Sequence, residues 1–139
     1  MPNKEQLSKT CLAERERLLQ KHVGNLPTDS ALSLSQIGEI IEKIEDEYKQ
    51  FLSNLWEQVR NGDSRSLDDI LDKRYNRYVL NMEYAKDIRV SQAAAEEITL
   101  WEQITNSNYR DIEHLNALVG AYARDLLAHI TQDFMEDVK

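Results

Sequence analysis

Glycine and proline are scarce, with four and two among 139 residues. Such a poverty of chain breakers excludes a sandwich or barrel, which needs a turn every few residues, and points to long helices. Cysteine occurs once, at position 11, so no internal disulfide forms. Cys11 falls on a predicted helix and reads as a small core residue rather than a reactive thiol. No apolar run approaches the roughly 18 residues of a membrane span. The start, Met1-Pro2-Asn3-Lys4-Glu5, lacks the apolar segment of a signal peptide. A cytoplasmic protein with no membrane contact is the expectation. Positive charge is in deficit, with 17 Lys and Arg against 25 Asp and Glu, a formal net charge of −8. That balance disfavours non-specific adhesion to nucleic acid or anionic lipid.

What is present is helical periodicity. From Leu32 to Arg60 the apolar residues Ile37, Ile41, Ile44, Tyr48, Phe51 and Leu55 alternate spacings of four and three. Only an α-helix brings such positions onto one face. Leu34, Ile40, Leu52, Trp56 and Val59 widen the stripe towards what a core-facing helix needs. Ser33 and Gln36 fit a capping box, with Leu32 and Ile37 placed as a hydrophobic staple. Asn61-Gly62-Asp63 ends the run, with Gly62 suited to a left-handed position. A helix of about 40 Å follows from a rise of 1.5 Å per residue.

The remaining segments read in order. Residues 4–22 form a first helix with Leu7, Cys11, Leu12, Leu18 and Leu19 on a thin stripe. That thinness predicts a peripheral helix, or one docked on a partner. Gly24, Asn25 and Pro27 make a connector. Ser66 with Asp69 caps a third helix from Leu67 through Tyr75, Tyr78 and Met82 to at least Arg89. Ser91 to Thr105 is strongly helix-forming, with Ile98, Trp101 and Ile104 apolar, and a break or bend near Ser91 is expected. Residues 105–108 are a loop offering N-caps. A last helix takes Ile112, Leu115, Leu118, Val119, Tyr122, Leu126, Ile130 and Phe134, with Gly120 at a close helix crossing. The expectation is one all-α domain over residues 1–139: a bundle of four to five helices with one long central helix, and a core bundle over 33–138. Core anchors should include Ile41, Ile44, Phe51, Leu55, Tyr78, Trp101, Leu115, Val119 and Leu126.

Chemistry-bearing patterns are few. Glu39, Glu42 and Asp46 share one face of the long helix, which reads as a solvated acidic face. A di-iron bundle needs Glu-x-x-His on each of two helices. Here Asp111-Ile112-Glu113-His114 is a single imperfect copy. The helical nucleotide pyrophosphohydrolases follow Glu-x-x-Glu with Glu-x-x-Asp, and no second half follows Glu39 and Glu42. The three histidines, His22, His114 and His129, lie far apart in sequence and lack the spacing of a zinc site. No metal, cofactor or small-molecule substrate is expected. Lys73-Arg74-Tyr75-Asn76-Arg77-Tyr78 interleaves bases with aromatics, a pattern that can meet phosphates and stack on bases, or can equally be a core tyrosine with a solvated rim.

Two resemblances bear on function. Arg124-Asp125-Leu126-Leu127-Ala128-His129 resembles the Arg-polar-x-x-x-His motif of the helical HEPN ribonucleases, in which His would act as general acid or base and Arg would steady the strained phosphate. Four stretches, in order, resemble the small helical subunit of type III-A CRISPR effector complexes. They are Leu32 to Ile37, then Ile70 to Lys73 with Tyr78 to Ala85, then Leu100 to Ile104, and Ile112 to Tyr122. That resemblance covers residues 32–125. It implies a non-catalytic α-bundle that repeats along a filament and helps to hold guide and target RNA, with Arg74, Arg77, Lys86 and Arg89 towards nucleic acid. The expectation is therefore a non-catalytic helical interaction protein, a subunit or adaptor in a larger assembly, with protein partners or self-association and with RNA as a further ligand. The alternative is a ribonuclease using Arg124 and His129.

Overall fold

The computed structural model describes residues 3–71, 92–106 and 111–138. The fold is all-α, one domain, and the described residues form five helices: α1 (Lys4–His22), α2 (Leu34–Val59), α3 (Leu67–Ile70), α4 (Gln92–Asn106) and α5 (Ile112–Asp137).

Local chemistry sets most of the helix ends. Ser33 Oγ accepts from the Gln36 backbone amide at 3.2 Å, and Gln36 Oε1 accepts from the Ser33 amide at 2.9 Å. This is the reciprocal capping box expected from sequence, and it satisfies two amides that the first turn leaves orphaned. Asn3 with Gln6 does the same for α1, and Ser66 with Asp69 for α3. α2 ends at Arg60, after which Asn61 and Gly62 both take positive φ, 50° and 88°. The Asp63 amide then donates to the Arg60 carbonyl at 2.9 Å.

α2 buries Ile37, Ile41, Ile44, Tyr48, Leu52, Leu55, Trp56 and Val59. Phe51, expected as an anchor, is only half-buried, stacked on Tyr48 at 5.9 Å, while Leu52 is wholly buried. The cause is helical geometry. A helix of 3.6 residues per turn drifts about 20° per heptad against a strict seven-residue seam, so the buried stripe slides from Phe51 to Leu52.

α1 is not peripheral. Leu7, Cys11 and Leu18 are fully buried, and α1 packs against both α2 and α5. A narrow stripe is enough because it fills a groove between two helices rather than covering one face. Leu12, counted on that stripe from sequence, instead faces solvent and is 47% exposed. At the end of α1, Lys21 Nζ and His22 Nε2 reach the two oxygens of Glu47 on α2, at 2.8 and 2.6 Å.

The third helix also departs from expectation. α3 ends at Ile70, and beyond Leu71 the stretch expected to reach Arg89 lies outside the described residues. Leu67 and Ile70 are buried, and Leu71 turns extended at φ −69° and ψ 143°, a backbone that ends a helix. Tyr78 lies outside the described residues. α4 carries on through Asn106, past the loop expected at 105, and buries Trp101 and Ile104.

α5 starts at an Asp111 cap, whose Oδ1 accepts from the His114 amide at 2.9 Å. This cap lies beyond residues 105–108, where the N-cap is expected from sequence. α5 contacts all four other helices and is apolar around most of its circumference. It is therefore the axis of the bundle, although α2, equal to it at 26 residues, shows the sharper stripe. Trp101 of α4 lies 5.6 Å from Tyr122, and Trp56 of α2 meets Phe134 edge-on at 6.3 Å. A Cβ on Gly120 would sit 3.3 Å from Val23 Cγ1, so the close approach expected there is made by the end of α1.

Candidate functional site

Few polar groups are buried, and one such cluster ties three helices together. The Thr131 hydroxyl donates to the Leu127 carbonyl at 2.7 Å, which uses its one proton. Tyr48 must then donate to Thr131, at 2.5 Å, and Arg15 Nη1 donates to the same oxygen at 3.2 Å. Burial pushes the Tyr48 phenol well above its usual range, and burial likewise raises the Cys11 thiol, so both stay protonated. A buried protonated thiol is a poor nucleophile, and this cluster braces the core.

A second polar group closes the far end. Arg65 lies over Trp56 at 6.0 Å, binds Asp63 through Nε and Nη2, and reaches Asp137 of α5 through Nη1 at 2.9 Å. The last turn of α5 carries no base, where a helix C-terminus favours one, and Arg65 supplies that cation from the loop. Arg65 belongs to no motif in the sequence. The acids Glu136 and Asp137 at a helix end were the signal that a cation had to come from elsewhere. Trp56, Val59, Arg60, Asn61, Asp63 and Asp137 line a cleft of about 260 Å³ beside this clamp.

Of the site residues expected from sequence, Arg124 and His129 fall within the described residues. Arg124 is exposed and lies 3.8 Å from Glu16 of α1. His129 is buried, 5% exposed. They stand five positions apart, about 140° around the helix axis, so no accessible surface is shared. Arg74, Arg77, Lys86 and Arg89 lie outside the described residues. His114 is exposed in the first turn of α5, where Asp111 acts as the cap. Among the described residues no three His, Cys, Asp or Glu side chains gather as metal ligands. No described helix is long and apolar enough to cross a membrane.

One surface feature does match its sequence reading. Glu39, Glu42 and Asp46 are all exposed along the outer side of α2. None of the three makes an ion pair among the described residues, whereas Glu45, Glu47 and Glu57 on the same helix are each paired with a base. No known protein family, curated protein or solved structure matches this chain.

Proposed function

We propose that this chain works by binding, as a non-catalytic helical subunit or adaptor of a larger assembly. The observation that carries this reading is the row Glu39, Glu42 and Asp46. Three unpaired carboxylates repel one another, and they stand on a helix whose other side is committed to the core. A basic partner surface relieves that repulsion and gains directed, salt-sensitive attraction. Among the described residues the buried Tyr48 and Thr131 hydroxyls brace the core, and Arg124 and His129 lie on different sides of α5, which favours binding over the ribonuclease alternative.

The test is a charge reversal, Glu39→Lys with Glu42→Lys and Asp46→Lys, compared with wild type in affinity purification from the cells that make the protein. A partner retained by wild type and lost by the variant, with helical dichroism and melting unchanged, supports the reading. Retention of the same partners by both proteins removes the acidic row from it. RNA is tested beside this by fluorescence anisotropy at two salt concentrations. The CRISPR-like subunit reading expects binding that falls with salt and weakens in Arg74→Ala with Arg77→Ala. A pure protein adaptor expects none. Cleavage of the RNA that is lost in both Arg124→Ala and His129→Ala would restore the nuclease.

A further inference from the structure

The turn after α2 combines features that together make a reactive backbone site. Asn61 is the one asparagine followed by glycine in the whole chain. Both residues are exposed, and both hold positive φ. Apart from its two chain neighbours, nothing lies within 4 Å of where a Cβ on Gly62 would sit, so no other part of the fold crowds this turn. Among the described residues neither that amide nor the Asn61 side chain makes a hydrogen bond. Other asparagines are engaged. Asn25 Nδ2 donates to the Lys21 carbonyl at 3.0 Å, Asn116 Nδ2 donates to the Pro27 carbonyl at 2.9 Å, and Asn54 Oδ1 accepts from Gln50 at 3.4 Å.

We infer that Asn61-Gly62 is a site of spontaneous deamidation and isoaspartate formation in the folded protein. The Gly62 backbone nitrogen attacks Cγ of Asn61. A new C–N bond closes a five-membered succinimide, the Cγ–Nδ2 bond breaks, and the side-chain nitrogen leaves as ammonia with the proton from the backbone amide. Water then opens the ring. Attack at Cγ leaves an aspartate, and attack at the main-chain carbonyl leaves an isoaspartate whose backbone runs through the side chain. No oxidant or reductant is involved. Glycine matters because it has no Cβ to shield the attacking nitrogen. Either product adds a carboxylate to the turn that already holds Asp63. The isoaspartate also adds a carbon to the backbone of the turn that leads to Arg65, and so disturbs the clamp on Asp137.

The folded full-length chain is kept warm at mildly alkaline pH, and peptide mapping by mass spectrometry follows each asparagine. Acceptance of a methyl group from an isoaspartyl methyltransferase reads the isomer. The expected result is conversion at position 61 ahead of Asn25, Asn54 and Asn116, with methyl acceptance growing in parallel. Both signals should be lost in Asn61→Gln, where ring closure would need six members, and reduced in Gly62→Ala, with folding of each variant checked by dichroism. Conversion at position 61 no faster than at the engaged asparagines, or seen only after unfolding in urea, overturns the inference.

Discussion

Tyr48 on α2 and Thr131 on α5 are 83 residues apart in sequence and share a 2.5 Å hydrogen bond in the core. Because the Thr131 proton is already given to Leu127, this contact has a fixed direction and a fixed dependence. Thr131→Val removes the acceptor shared by the Tyr48 hydroxyl and the part-buried Arg15 donor, leaving Tyr48 only its weaker bond with Cys11, and should cost about 1–3 kcal/mol, the range for a buried polar group that loses its partner. Tyr48→Phe leaves Thr131 still bonded, and should cost less, about 0.5–1.5 kcal/mol. The double variant should fall short of the sum of the two. Urea unfolding of all four proteins checks this, and strictly additive losses would mean that the two side chains are not coupled.

The drift of the α2 stripe yields an ordering. Leu52→Ala removes a wholly buried side chain and should cost about 2–5 kcal/mol. Phe51→Ala takes more atoms away but from a half-buried position, and should cost less than Leu52→Ala. A larger loss at Phe51 would restore the strict heptad seam. Chemical denaturation midpoints decide it.

Acid should loosen the joint between α1 and α2. The hydrogen bonds from Lys21 and His22 hold the Glu47 carboxyl down to about 2, from an ordinary 4.5. A depressed carboxylate contributes stability that is fully present above the unfolded value and is lost as pH falls through the folded one. The contribution therefore fades between about pH 4.5 and 2. Glu47 is partly exposed, so salt should weaken the effect. Glu47→Gln should flatten the stability curve in that window and leave it unchanged in shape at neutral pH. An unaltered acid limb in the variant would argue against the joint.

Arg65→Ala should fray one end of the molecule and spare the rest. The variant loses the bonds to Asp63 and Asp137 and the cover over Trp56. Amide hydrogen exchange should speed up from Phe134 to Asp137, while Ile41 to Tyr48 keep their protection. Uniform loss of protection would show that the clamp supports the whole core.

What was legible in the sequence was chiefly local. Ser33 with Gln36 and Ser66 with Asp69 each start a helix through four consecutive residues, and Asn61-Gly62 ends one through its own backbone preferences. Periodicity likewise showed that α2 buries one side, because 3.6 residues per turn is a property of the single helix. The acidic row on α2 was legible for the same reason. Tertiary structure alone decided what each stripe meets. A stripe states that a face is covered and not by what, so the thin stripe of α1 reads as marginal until it is seen filling a groove between α2 and α5. The same holds for α5, whose place as the axis depends on four neighbours arriving from distant parts of the chain. Arg65 with Asp137 and Tyr48 with Thr131 join residues 72 and 83 positions apart, and no local rule pairs groups at that distance. Arg124 and His129 show the converse. Six consecutive residues spelled a motif, and the burial of one end and exposure of the other came from how α5 sits among its neighbours.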